Sequence, residues 1–240
     1  MKGFLKLPQL PSAAVSTLVI GECYMAEFAP ALEHLSVECY GITGHEVLDP
    51  RLRGHADLLL LHTGNADFIA ADGVQLHNEI INISYVNLLN NDSALNICIF
   101  GEYWIGCPSR AAWLPDTLKK VAVRQRYARC STFIVDEHSI ITSDHGIAQA
   151  AAAHGLDVLE IAPGHILLDG FNYGFIGGAS FKLAPDKLAF TGALRHHPDQ
   201  DRIREFLSKR SIEPVCLGNG PLRDIGSAVL LYENLAAALP

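Results

Sequence analysis

A hydrophobic pattern of two short apolar runs, a helical segment and a third apolar run recurs along this chain of 240 residues. The clearest copy spans residues 129–161, where the runs CSTFIV and SIITS flank a polar turn at 136–138. β-Branched runs on both sides of a short polar turn predict a β-hairpin. An alanine-rich segment then lies between Asp144, a typical helix N-cap, and Gly155, a typical residue just past a helix end. The run DVLEI that follows predicts a third strand.

A second copy covers residues 177–217 and keeps the same order of elements. Its predicted helix has Pro198 in the first turn and an apolar face that includes Phe206. Matching positions of the copies, namely Cys130, Gly178 and Gly226, follow one another at intervals of 48 residues. A period of this length is typical of propellers and repeat arrays.

Two weaker copies precede these, with hairpins predicted over residues 55–72 and 96–106. The chain ends supply a fifth copy in two halves. RDIGSAVLL gives a first strand near the C-terminus, and the N-terminal part gives the strand AVSTLVI, a helix around residues 25–35 and the strand SVECYGI. Joining the halves would close a ring and remove exposed sheet edges. An open α/β sheet of hairpins and helices is the alternative interpretation.

Composition restricts the classes of protein. Apolar residues make up 49% of the chain, and no Pro/Gly/Ser-rich linker divides it, so we predict one domain over residues 1–240. The net charge of −8 argues against nucleic-acid binding, and no apolar run is long enough to predict a membrane span. Six cysteines without a close-spaced pair indicate reduced thiols and a cytoplasmic location. The eleven histidines form no close-spaced ligand motif, so we predict neither a metal nor another cofactor.

The repeated modules resemble the pentein superfamily, also called the guanidine-modifying enzyme fold. The segments YARCSTFIVDEHSIITSDHGI, LLDGFNYGFIGGAS and LRDIGS resemble an uncharacterised bacterial family of that fold. The resemblance implies an α/β, pentein-like five-bladed ββαβ propeller with pseudo-fivefold symmetry, closed by the N- and C-terminal strands. It also implies a nucleophilic cysteine after a glycine-rich segment near the C-terminus. Here the glycine-rich segment 217–221 is present, but residues 224–226 are Asp-Ile-Gly and no cysteine follows.

A closed ring would bring the starts of the first strands together, among them Asp57, Cys130 and Asp224. We predict Cys130 as a thiolate nucleophile, with Arg129, Arg126 and His55 lowering its pKa. His55 would be the general acid/base and Asp57 its charge partner, because residues two apart on a strand share a face. The alternatives are an inert buried cysteine and a solvated His-x-Asp at the start of a strand.

Further residues are candidates for holding a substrate. Asp224 could clamp a guanidinium group, or pair with Arg223 or Arg129 as a structural ion pair. Arg53, Arg129 and Arg223 occur at related positions of the repeat, which indicates an anionic group of the ligand unless they are solvated charges. Asn172 lies in a segment that suggests close approach of a ligand or of a neighbouring unit.

The sequence thus leads to two main hypotheses for function. The first is a thiol-dependent hydrolase or transferase that acts on a small guanidine or amidine compound bound in the central opening. The second is a non-catalytic pentein that binds a small molecule or a protein and lacks the usual C-terminal cysteine. A nucleotide-binding open sheet is a third reading, but no G-x-G-x-x-G or Walker motif is present. None of these hypotheses predicts an oligomeric state.

Overall fold

Each predicted hairpin forms a small sheet in the computed structural model, which describes residues 1–76, 82–113 and 115–235. The strands of these residues make five sheets, one for each copy of the repeat. In every sheet two antiparallel strands are followed by a third strand that runs parallel to the second. The prediction of five related modules is therefore confirmed.

The fourth and fifth sheets contain the complete ββαβ module. The fourth module consists of β10 (Thr132–Asp136), β11 (Ser139–Thr142), α4 (His145–Ala153) and β12 (Asp157–Glu160). The fifth consists of β13 (Ser180–Ala184), β14 (Lys187–Phe190), α5 (Gln200–Ser208) and β15 (Glu213–Cys216). Asp144 is the N-cap of α4, as predicted, and its side chain accepts a hydrogen bond from the backbone of Ile147. Pro198, by contrast, lies before the N-cap of α5 and not in its first turn.

The second and third modules are shorter. The second has β4 (Leu60–Gly64), β5 (Asp67–Ala71) and β6 (Asn82–Val86), and the third has β7 (Cys98–Phe100), β8 (Tyr103–Gly106) and β9 (Lys119–Ala122). In the described residues between the second and third strands of these two modules there is no helix. These connections have no counterpart of the alanine-rich segment that makes α4 a good helix.

The first module joins the two ends of the chain. It contains β1 (Lys2–Phe4), β2 (Val15–Gly21), α1 (Met25–His34), β3 (Glu38–Ile42) and the C-terminal β16 (Val229–Asn234). The strand order is β1-β16-β2-β3, and Val229 of β16 pairs with Val19 of β2 in an antiparallel register. The predicted closure of the ring by both termini is confirmed, and β1 covers the outer edge of β16 in addition.

Hydrogen bonds link the five modules in a ring at the positions that the repeat aligned. Asp57 N–H donates to the carbonyl of Gly226 (3.1 Å), Ser227 N–H to Gly178 (2.9 Å), Gly178 N–H to Cys130 (2.9 Å) and Arg129 N–H to Asn96 (3.4 Å). The fifth link uses a side chain, because Asn96 Nδ2 donates to the carbonyl of Asp57 (3.3 Å). The equivalent residues of all five modules therefore lie around one centre.

Two short helical turns lie at this centre, at positions where the sequence predicted the starts of strands. They are α2 (Ala56–Leu59), which precedes β4, and α3 (Ala128–Ser131), which precedes β10. His55 is consequently the N-cap of a helical turn that contains Asp57, so the prediction that both lie on one face of a strand is wrong. Both turns are fully buried, and this is where the chain leaves the ring to enter the first strand of each module.

The core consists of the inward faces of the sheets and of the helices that cover them. α1 contributes Phe28 and Leu32 to one buried cluster, and α5 contributes Ile203 and Leu207 to another. None of the helices in the described part of the chain is both long and apolar enough to cross a bilayer.

One buried carboxylate fastens the N-terminal segment to the strand that closes the ring. Glu233 of β16 accepts hydrogen bonds from the backbone of Ser12 (2.5 Å) and Ala13 (2.9 Å) and from the hydroxyl of Ser12 (2.8 Å). We expect Glu233→Ala to lower the free energy of unfolding by about 2–4 kcal/mol, because three charge-assisted bonds are lost and their donors stay partly buried. Chemical denaturation measures this loss.

The matched control is Glu213→Ala, which removes an exposed glutamate from β15. It is expected to change the unfolding free energy by no more than about 0.5 kcal/mol. Equal effects of the two substitutions would contradict the role of Glu233 in closing the ring.

Candidate active site

Two of the five ring positions are glycines, and their missing side chains make room for other groups. A Cβ on Gly178 would lie 1.9 Å from Oδ1 of Asp224, and a Cβ on Gly226 would lie 2.4 Å from Cα and Cβ of His55. Gly226 also has a positive φ of 72°, which side-chain-bearing residues rarely adopt. The glycines thus allow His55 and Asp224 to approach the centre.

Cys130 lies between two of the other ring residues. Its thiol donates a hydrogen bond to Oδ2 of Asp57 at 2.8 Å, and its sulfur accepts one from Nδ2 of Asn96 at 3.3 Å. All three residues are buried. A carboxylate beside the S–H group can take the proton, and an amide donor beside the sulfur can stabilise the thiolate that results.

Asn96 also fixes the backbone on which Cys130 stands. Its Oδ1 accepts from the backbone N–H groups of Arg129 (2.9 Å) and Cys130 (3.1 Å), so the side chain satisfies two free donors at the start of α3. One asparagine therefore holds both the main chain and the sulfur of Cys130. No role of Asn96 was predicted from the sequence.

His55 and Asp224 complete the cluster. One nitrogen of His55, the sulfur of Cys130 and one carboxylate oxygen of Asp224 lie within 4.8 Å of one another. Asp224 is oriented by two backbone donors, Phe175 N–H (2.9 Å to Oδ2) and Gly226 N–H (3.0 Å to Oδ1), and its Oδ1 is 3.8 Å from His55 Nδ1. Neither Nε2 of His55 nor Oδ1 of Asp57 has a hydrogen-bond partner among the described residues, although both are buried. Of these two residues, His55 lines the large cavity described below, so its Nε2 is available to a ligand.

Burial sets the protonation of the cluster. It lowers the pKa of His55 and raises the pKa of Asp57, and it raises the pKa of Asp224 to about 6. The pKa of Cys130 is raised well above its ordinary value, first by burial and then by the charges of Asp57 and Asp224. The prediction that Arg129, Arg126 and His55 lower the thiol pKa is wrong for the unliganded site, because carboxylates and not cations adjoin the sulfur.

A cavity of about 300 Å³ opens beside the cluster. His55, Cys130 and Asp224 line it, and so does Asn172, a predicted ligand-binding residue. The other residues that line the cavity are apolar or aromatic, and the sequence did not predict that they come together. They are Leu52, Leu58, Tyr127, Leu168, Phe171, Tyr173 and Phe175. Their only sequence signal is the segment FNYGF, because the rest come from three separate modules.

The three arginines predicted to surround one opening do not meet. Arg129 is buried, donates to Ser227 Oγ (2.5 Å) and to the carbonyl of Gly177 (3.3 Å), and does not line the large cavity. Arg53 is exposed, and Arg223 contacts the carboxylates of Glu27 and Asp169. The ion pair of Asp224 with Arg223 or Arg129 considered above is also absent among the described residues, where Asp224 instead lies 3.8 Å from Nδ1 of His55.

The same cluster contains a set of potential metal ligands. A histidine nitrogen, a thiolate sulfur and a carboxylate oxygen at these separations are donors that zinc accepts, and the cavity would leave a further position open. The sequence prediction of no metal rested on close-spaced histidine motifs. Such motifs cannot reveal a set of donors from positions 55, 130 and 224, which come together only in the folded chain.

A family model matches residues 19–229 and is described as "Family of unknown function (DUF6873)". The chain belongs to this family. Among curated proteins, none matches the sequence significantly.

Solved structures with a similar fold include two amidinotransferases and an agmatine deiminase. The inosamine-phosphate amidinotransferase StrB1 from Streptomyces griseus superposes with a TM-score of 0.58 at 9% identity, over 98% of this chain and 99% of that one. SxtG, an amidinotransferase of the saxitoxin biosynthetic pathway from Microseira wollei, gives 0.57 at 9%, over 89% and 91%. The agmatine deiminase of C. jejuni gives 0.55 at 11%, over 98% of both chains. These similarities identify the fold of this family member as that of the pentein superfamily.

The arrangement around Cys130 predicts its reactivity. Because the thiol pKa is raised, we expect slow alkylation of Cys130 at neutral pH and an increase only in the alkaline range. Asp57→Asn removes the nearest negative charge and should lower the thiol pKa, which would speed alkylation at pH 8 by about tenfold or more. Iodoacetamide labelling followed by peptide mass spectrometry measures each cysteine separately.

Asp67→Asn provides the matched control, since Asp67 is exposed on β5 of the same module. It should leave the labelling rate of Cys130 unchanged. A Cys130 that is alkylated as fast at pH 7 as the exposed Cys216 would refute the description of a protonated, shielded thiol.

Proposed function

We propose that this protein is a thiol-dependent enzyme that acts on a small guanidine or amidine compound, with Cys130 as the nucleophile. The observation that carries the proposal is the convergence of a thiol, a carboxylate and an imidazole at the base of one cavity, with a second carboxylate, that of Asp57, hydrogen-bonded to the thiol. Attack on a guanidinium carbon needs such a set: a nucleophile, a group that takes its proton, an acid for the leaving amine and an anion for the substrate charge. The pentein fold of the chain, which amidinotransferases and a deiminase share, supports the same chemistry.

In the first step the substrate cation binds at Asp224, whose carboxylate is ionised above a pH of about 6. The positive charge opposes the field of Asp57 and Asp224, so it favours ionisation of the thiol. The proton of Cys130 passes to Asp57, with which it is already hydrogen-bonded. The thiolate then attacks the guanidinium carbon and forms a C–S bond, giving a tetrahedral adduct.

In the second step the adduct loses ammonia or an amine. The proton that Asp57 received from Cys130 is transferred to the leaving nitrogen, and His55, whose depressed pKa keeps it neutral, can relay it by accepting and then releasing it at its unpartnered Nε2. The C–N bond breaks, the nitrogen leaves with the added proton, and a covalent thiouronium remains on Cys130. Water completes a hydrolase cycle by attacking the thiouronium carbon, whereas an amine completes a transferase cycle. Either attack returns the thiol.

A second candidate function is binding without catalysis. The observation that favours it is the high thiol pKa of Cys130, together with Asp224 in the region where the enzymes of this superfamily are expected to carry their cysteine. In this case the cavity would hold a ligand reversibly, and Cys130 would be a buried, inert residue.

Kinetics of substituted proteins separate the two functions. With a guanidine that the wild type converts, Cys130→Ala should abolish release of ammonia or urea, because it removes the thiol that lines the cavity and forms the adduct. His55→Gln should lower kcat by about 100-fold or more, the usual contribution of a general acid/base. Coupled assays for ammonia and urea provide the readout, with circular dichroism to verify folding.

Cys216→Ala is the control, since it removes an exposed cysteine of β15 and should leave kcat unchanged. Turnover by Cys130→Ala would refute Cys130 as the nucleophile. Turnover that needs a divalent metal and disappears with a chelator would assign His55, Cys130 and Asp224 to a metal site instead.

A further inference from the structure

The cavity has a polar base and apolar walls, and this division determines which part of a ligand each region accepts. Asp224, His55 and Cys130 form the base, whereas Leu52, Leu58 and Leu168 belong to the walls. Four aromatic rings line the cavity as well: Tyr127, Phe171, Tyr173 and Phe175. A volume of about 300 Å³ corresponds to the smaller ligand pockets of proteins, so the ligand is small.

One carboxylate lines the cavity at its base. Asp224 is buried, its oxygens accept hydrogen bonds from the backbone of Phe175 and Gly226, and no lysine or arginine of the described residues lies within ion-pair distance of it. Asp57, the second buried carboxylate, is hydrogen-bonded to Cys130 and does not line the cavity. A cationic group of the ligand at this end would pair with Asp224, whereas an anionic group would be repelled by it.

The walls offer no partner for a second charged group. In the part of the chain that the structure describes, no lysine or arginine lines the cavity, and Asp224 is the acidic residue that does. Arg51 stacks on Phe171 at the rim, but its guanidinium is held by both carboxylate oxygens of Asp49 and by the carbonyl of Gly170. Arg126 lies beyond the ring of Tyr127 and borders a different cavity with Asp92. A carboxylate on the ligand would therefore lose its water without gaining a counter-ion.

The mouth of the cavity is also apolar. Phe171 and Tyr173, two positions apart in the sequence, keep 39% and 42% of their surface exposed. Exposed aromatic groups around a concave site mark a surface that a ligand covers. These two rings can bury a substituent that extends from the base toward solvent.

From the base, walls and mouth together we infer that the ligand is a guanidine or amidine with an apolar, preferably aromatic, substituent and without a carboxylate or a second cation. This inference rests on the proposed function for the guanidine or amidine group of the ligand, and it adds the chemistry of the rest of the ligand. It excludes free guanidino amino acids and guanidino acids as good ligands.

Direct binding to a variant that cannot react tests the inference independently of catalysis. Isothermal titration of Cys130→Ala at pH 8 should give benzylguanidine an affinity roughly 10- to 100-fold higher than L-arginine, 4-guanidinobutyrate and agmatine, which carry charges that the walls cannot pair. Methylguanidine should bind more weakly than benzylguanidine as well, because it lacks the apolar surface. Similar affinities for all five compounds, no binding of any, or a preference for arginine would overturn the inference.

Substitutions at the mouth provide the second test. Phe171→Ala should weaken binding of benzylguanidine by about tenfold and leave methylguanidine unaffected. Tyr85→Ala is the matched control, since it removes an exposed aromatic side chain that does not line this cavity, and it should change neither affinity. If Phe171→Ala weakened binding of benzylguanidine and methylguanidine equally, Phe171 would not be the residue that contacts the apolar substituent.

The wild type distinguishes the failure of this inference from the failure of the proposed function. Selective binding of benzylguanidine without release of ammonia or urea would uphold the ligand class and reject the thiol chemistry. Turnover of arginine in preference to benzylguanidine would uphold the chemistry and reject the ligand class. Asn172→Arg adds a cation at the cavity and should increase the affinity for 4-guanidinobutyrate relative to benzylguanidine. If position 172 did not contact the ligand, this substitution would leave the relative affinities unchanged.

Discussion

The ring of hydrogen bonds at the centre is the constraint on which the rest of the molecule depends. Four backbone bonds and one from Asn96 join each module to the next at equivalent residues. A buried carbonyl that lacks a donor costs free energy, so each module requires its neighbour to supply one. The ring therefore closes completely, and it holds Asp57, Asn96 and Cys130 in contact although they come from three different modules.

The candidate site follows from the points at which this ring departs from fivefold symmetry. Two of its members are glycines, and the space beside them is filled by His55 and Asp224. The remaining members carry a carboxylate, an amide and a thiol. A symmetric ring of identical residues would be only a structural element, whereas this one brings a thiol, two carboxylates and an imidazole close to one another.

Burial explains both the resting state of the site and its proposed response to a ligand. It keeps the thiol protonated and the imidazole neutral, and it makes an unpaired carboxylate costly. A cationic ligand is the group that this environment favours, and its charge would oppose the field that keeps the thiol protonated. Apolar walls strengthen these interactions because they exclude water. Selectivity for the ligand and activation of Cys130 would then have the same physical origin.

The sequence by itself determined the modules and their closure, because hairpins, the N-cap Asp144 and the matching half-modules at the chain ends depend on neighbouring residues. It also indicated Cys130, His55, Asp57 and Asp224, since the period aligned their surroundings. Only the tertiary structure decided their chemistry. Cys130 and Asp57 are 73 positions apart, and the thiol pKa depends on that contact. Likewise, packing between modules places Arg53, Arg129 and Arg223 apart and brings the aromatic residues of the cavity together. A local pattern of residues does not encode this packing.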